Sequence, residues 1–166
     1  MNPAIIDGSV ERFRNNPAAA RSEPTVIARL TDGVAELIAG SFRWEVDLPP
    51  SLGGGNMAPS PTVYLLGALA GCAAAFLRDT LGPQLGVRID GVTAVVRCRS
   101  DARGLLGIDG VAPDLAELEL EVTVDSPESD ERLQPVYQAW LGRCPIYLAL
   151  IGANPVRTSF ARLPSG

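Results

Sequence analysis

A chain of 166 residues, 46% hydrophobic and 20% charged, is long enough for one domain with a real core, since at this length about 70% of the unfolded surface can be buried. A formal charge of −5 and a pI near 4.7 argue against a nucleic-acid surface, which needs clustered Lys and Arg. The chain has no histidine and no lysine, which removes His-based triads, His general bases and most zinc or haem ligation, so neither metal nor cofactor is expected.

The first twenty residues lack the basic start and apolar run of a secretory signal, and a cytoplasmic protein is expected. Three cysteines without a CxxC pair do not resemble a secreted disulfide framework; in a reducing compartment they are core fillers or reactive thiols. Residues 61–77 form the one candidate membrane span, at the lower limit of length and closed by Arg78, and they read as a buried helix of a soluble protein.

In chain order, residues 1–24 are polar and broken by Pro3, Pro17 and Pro24, an N-terminal arm with a short helix starting after Ser9. A domain over residues 25–166 follows. It opens with a three-stranded meander: Thr25 to Leu30, a two-residue turn at Asp32-Gly33, Val34 to Ile38, a turn at Gly40-Ser41, and a strand with Phe42, Trp44 and Val46 on one face and Arg43, Glu45 and Asp47 on the other. A Pro- and Gly-rich loop feeds a helix capped by Ser60 with Pro61 in its first turn. That helix is apolar all round, with Leu65, Leu69, Cys72 and Phe76 on one stripe, and such a helix is wrapped by protein on every side. Gly82-Pro83 ends it. A strand from Val87 to Arg99 places Val92, Ala94, Val96 and Cys98 inward, Cys98 being most simply a core residue. The segment AELELEVTVD alternates cleanly, with Leu118, Leu120, Val122 and Val124 inward and the three glutamates outward. A second helix starts near Ser129 and carries Pro135, Cys144 is extended before Pro145, a short helix runs to Ile151, and Val156 to Leu163 adds a closing strand.

Cys72 and Cys144 lie 72 residues apart, and if the fold joins them they form a redox pair. A thiol on an apolar helix has its pKa raised by burial and needs a nearby cation to ionise. Without His or Lys the cation must be arginine; by strand position Arg43 is the candidate activator, with Arg29, Arg78 and Arg143 as alternatives. An activated thiolate that meets a peroxide becomes a sulfenic acid, which a second thiol condenses to a disulfide.

The run PPSLGGGNMAPSPTVYLLGALAGC, the strand pair joined by SDARGLLGID, and CPIYLAL with its final strand resemble the OsmC/Ohr superfamily over roughly residues 25 to 163. The resemblance implies an α+β fold with two small antiparallel sheets wrapped around central helices, in an intertwined homodimer with sites at the subunit boundary. It implies thiol-dependent reduction of organic hydroperoxides in oxidative-stress defence. Cys72 would be peroxidatic and Cys144 resolving, and a thiol reductant such as a lipoylated protein would regenerate them. This chain has Thr62 and Val63 where subgroups of the family carry a glutamate that holds the activating arginine. The alternative expectation is a non-peroxidase dimer that binds a small hydrophobic ligand at the subunit interface; a structural stress protein is a third. None involves nucleic acid or a membrane.

Overall fold

The computed structural model describes residues 3–152 and 155–162. Its elements run α1 (Pro3–Asn15), β1 (Ile27–Arg29), β2 (Ala35–Ala39), β3 (Phe42–Val46), α2 (Pro61–Phe76), a π turn (Leu77–Leu81), α3 (Gly82–Gln84), β4 (Gly91–Arg99), α4 (Ala102–Leu105), β5 (Ala116–Asp125), α5 (Asp130–Leu141) and α6 (Pro145–Ile151). The strands form two antiparallel sheets, β1-β2-β3 and β4-β5, the mixed α+β arrangement expected.

The meander forms, but its first turn is longer than Asp32-Gly33 suggests. Arg29 pairs with Glu36, and residues 30–34 make a five-residue loop with Gly33 at φ +74°. The second turn is tight: Ala39 pairs with Phe42 across Gly40-Ser41, and Gly40 takes φ +58°, which glycine adopts without steric cost. In this register one face carries Ile27, Arg29, Glu36, Ile38, Arg43 and Glu45, and the other Leu37, Phe42, Trp44 and Val46.

Asp47 organises the loop that leaves the meander. Its carboxylate accepts from the N–H groups of Leu48 (2.7 Å), Gly55 (3.0 Å) and Met57 (2.9 Å), and these bonds hold its pKa below the usual carboxylate range, that from Met57 most strongly. The turn closes so tightly that a Cβ on Gly54 would lie 2.0 Å from the Leu48 carbonyl oxygen. Tyr64 then donates its hydroxyl to the Glu45 carbonyl (2.7 Å), fastening the first turn of α2 to β3.

α2 starts as its sequence dictates. Ser60 Oγ accepts from Val63 N–H (3.4 Å) and Pro61 occupies the first turn, where its missing N–H costs nothing. The helix does not end at Gly82-Pro83. A π turn and α3 extend it to Gln84, giving a rod of 24 residues, because the wider turn accommodates a proline that has no N–H and whose ring would crowd the preceding α-turn. The chain then reverses at Gly86 (φ +63°), and Val87 donates to the Gly82 carbonyl (2.8 Å). This tether keeps Val87 out of β4, which begins at Gly91 rather than Val87.

Leu69, Ala73, Leu77 and Leu81 of the rod meet Val87, Val136, Trp140 and Cys144 in one buried cluster. Val92, Ala94, Val96, Leu120 and Val122 close it from the β4-β5 sheet, whose opposite face is lined by Arg97, paired with Glu119 (2.7 Å) and Glu121, and by Arg99, paired with Glu117 (3.0 Å). Trp140 lies between Tyr137 and Tyr147, with ring centroids at 6.1 and 5.2 Å.

The all-round wrapping expected of α2 is absent in one chain: only Leu69 and Ala73 are buried, and Val63 and Leu65 are exposed. The rod is long and apolar enough by length and composition to cross a membrane. α1 begins at Pro3 and runs through Ser9 rather than starting after it, because Ile6, Val10 and Phe13 make a half-buried stripe on a helix that rests against α3. α5 tolerates Pro135 at an exposed position inside the helix. The closing strand does not form over residues 156–162, where Val156 and Phe160 are exposed and no strand edge pairs with them; Leu163 lies outside the described residues.

Candidate functional site

Cys72 and Cys144 come together at the end of the buried cluster. Both are free thiols, Cys72 half-buried on α2 and Cys144 buried at the start of α6. Pro145 drives this placement: it forces the preceding residue out of the helical region, so Cys144 is extended (φ −70°, ψ 113°) and caps α6 with its sulfur. Cys144 Sγ accepts from Tyr147 N–H (3.5 Å), while Cys144 N–H donates to the Trp140 carbonyl (2.8 Å), locking the residue between α5 and α6.

Cys72 packs against the buried cluster that contains Cys144, near enough for Cys144 to act on its ionisation. The Cys72 thiol is pushed up to about 12, first by burial, then by the influence of the neighbouring Cys144 thiol; the N–H of Ile146 pulls the other way. At neutral pH Cys72 is therefore a neutral thiol in the single chain.

None of the candidate arginines is among the groups acting on Cys72. Arg78 pairs with its neighbour Asp79 (3.9 Å), and Arg143 donates to Gln84 Oε1 (2.9 Å), tying the end of α5 to α3. Arg43 pairs with Glu36 (3.5 Å) on the meander, and Arg29 stands directly across from Glu36. The structure joins the two predicted cysteines and leaves Arg43 on a sheet whose residues are absent from the thiols' cluster. Thr62 and Val63, at the start of α2, bring no carboxylate.

Cys98 stays apart from the pair. It is half-buried and does not join the packed cluster, because the β4-β5 ladder slips a register between Arg97 and Arg99, opposite Glu117 at φ +49°. The inward position read from alternation is right, but the bulge keeps it out of the core. Sequence reasoning missed an apolar cleft of about 320 Å³ beside the pair, lined by Leu69, Leu118, Leu120, Trp140, Leu150 and Ile151 among others. Its walls come from four elements, and only the apolar character of each wall was readable in advance. Among the described residues no group of three or more His, Cys, Asp or Glu side chains could hold a metal ion.

No curated protein is detectably similar in sequence. The fold is shared with an OsmC-like protein from Mycoplasma pneumoniae at TM-score 0.65 and 21% identity, covering 80% of this chain and 89% of the other. It is also shared with the organic hydroperoxide resistance protein OhrB of Bacillus subtilis at TM-score 0.51 and 17% identity, covering 80% and 93%. An organic hydroperoxide resistance protein of Legionella pneumophila is similar at TM-score 0.51 and 16% identity, with the same coverage. The family model described as OsmC-like protein matches residues 53–159, the stretch that carries both thiols, the rod between the sheets and the β4-β5 ladder, and the chain belongs to that family.

Proposed function

We propose that the protein is a thiol-dependent organic hydroperoxide reductase that works as a homodimer in the cytoplasm. The observation that carries this reading is the approach of Cys72 and Cys144, with α2 and α6 in contact and Cys72 packed against the cluster that contains Cys144. In the first step Cys72 attacks the hydroperoxide, the O–O bond breaks, and the products are a Cys72 sulfenic acid and an alcohol. Cys144 then attacks the sulfenic sulfur, forming the Cys72–Cys144 disulfide and releasing water. A dithiol reductant, such as a lipoyl group, returns both cysteines to thiols by exchange and leaves as its own disulfide.

A second copy supports this reading in two ways. It supplies cover for the exposed apolar side of α2 and for Leu37, Trp44 and Val46 of the meander, none of which joins the buried cluster. It also brings a cation: with no arginine acting on Cys72 within a chain, Arg43 of the meander is the one we assign, delivered across the subunit boundary. A bilayer is a poorer cover for the rod, because β4 runs along it and carries charged Arg97 and Arg99 with exposed backbone edges.

A second reading, a dimer that binds a small hydrophobic ligand, is favoured by the raised Cys72 thiol and the apolar cleft beside it. Stopped-flow oxidation by an organic hydroperoxide separates the two. The reductase reading expects Cys72 to react far faster than a free thiol, and non-reducing mass mapping to find Cys72 linked to Cys144 with Cys98 free. Oxidation no faster than that of glutathione hands the site to the ligand-binding reading.

A further inference from the structure

The thiol centre lacks the carboxylate that would orient its arginine, since Thr62 and Val63 stand at the start of α2. The meander supplies candidates of its own. Asp47 is engaged by three backbone N–H groups of the loop it organises. Glu45 makes no ion pair among the described residues. Glu36 sits at the middle of the charged face: it lies opposite Arg29 on one side and Glu45 on the other, one pair away from Arg43. Its Oε1 is 3.5 Å from Arg43 Nη1, the one ion pair on this sheet among the described residues.

We propose that Glu36 is the positioning carboxylate for Arg43, replacing from the neighbouring strand the carboxylate missing at the start of the Cys72 helix. This rests on the reductase reading and on Arg43 as the activating cation. Strand β2 is the middle strand of the meander, paired on both sides, so it offers Arg43 a firmer anchor than a loop would. A guanidinium held by one carboxylate oxygen keeps other N–H groups free to face a sulfur or a peroxide oxygen. With side chains 60% and 48% exposed, the pair is weak in one chain.

The test measures two quantities on the full-length protein: the rate of Cys72 oxidation by an organic hydroperoxide, and the rate of Cys72 alkylation by iodoacetamide across pH. Glu36→Gln is expected to slow oxidation at neutral pH by about fivefold, the upper range for an exposed pair, and to move the alkylation midpoint to higher pH. Glu36→Asp should recover at least part of the rate. Arg43→Gln should lose more, and adding Glu36→Gln to it should cost nothing further, because the carboxylate acts through the arginine. If Arg43→Gln slows the reaction and Glu36→Gln does not, the positioning role is overturned while Arg43 stands. An additional loss in the double variant overturns it too. If Arg43→Gln leaves both rates unchanged, the Arg43 assignment falls and this proposal with it.

Discussion

The two halves of the molecule are built to different standards. Among the described residues, every fully buried side chain belongs to residues 69–144, where the rod, α5 and the turn into α6 meet around the thiols. The meander is as regular in its hydrogen bonding, yet it buries no side chain fully, and it carries Phe42 and Ile27 in the open. A sheet with one apolar face must bury that face against another element. The half that holds the sulfurs thus has a buried core of its own, and the half that holds the proposed cation does not. The chemistry proposed for the pair needs both.

The sharpest way to probe that contrast is to empty one large side chain in each half. Trp140→Ala removes a fully buried ring stacked between two tyrosines and should cost about 4 kcal/mol in urea unfolding. Trp44→Ala should cost less than about 1 kcal/mol in a monomer. If a second copy covers the meander, its effect grows and becomes concentration-dependent. Sedimentation equilibrium at micromolar concentration should show twice the chain mass, and a monomer would leave the meander's apolar face unexplained.

The joint between the halves comes next. Gly54→Ala sets a Cβ against the Leu48 carbonyl and should cost about 2 kcal/mol, with the added effect of loosening the meander from α2. Limited proteolysis should then cut within residues 48–59 faster than in the parent chain. Unchanged cleavage would show that Tyr64 and the Glu45 carbonyl hold the joint without the loop.

The thiols show the contrast as a dependence on pH. Cys72 binds its proton more tightly folded, at about 12, than unfolded, near the ordinary cysteine value of 9.0. Between those values the folded state holds more protons, so stability falls as pH rises from about 9 to about 12. Cys72→Ser should flatten that part of the profile. A parallel decline in both proteins would mean that Cys72 titrates normally, as expected if a second copy already brings it a cation.

What could be read from the sequence was local. Ser60 with Pro61 marked the start of α2, and Pro145 settled the backbone of Cys144, because each acts within one turn of chain. The alternation of β5 was legible for the same reason. The continuation of the rod past Pro83 depends on a π turn that no residue type announces. The closing strand over residues 156–162 does not form, although alternation there is readable, because no strand edge comes to lie beside those residues in the single chain. The partner of Arg43 follows from strand register, and the five-residue loop before β2 set that register where a two-residue turn was expected. The cysteine pair was singled out from the residues, took its roles from a resemblance, and was brought together by the fold.

The π turn at Leu77–Leu81 also sets the phase of the rod. Its buried residues Leu69, Ala73, Leu77 and Leu81 recur every fourth position, and in an uninterrupted α-helix each such step overshoots a full turn by about 40°, so the row would wind around the axis by about 120°. The wider turn takes part of that rotation back just where the row reaches Val87 and α5. Shortening residues 78–80 by one would leave composition and helix content nearly unaltered and yet rotate everything upstream, Cys72 included, away from Cys144. The spacing of the thiol pair is therefore guarded by a count of residues about two turns along the rod from Cys72.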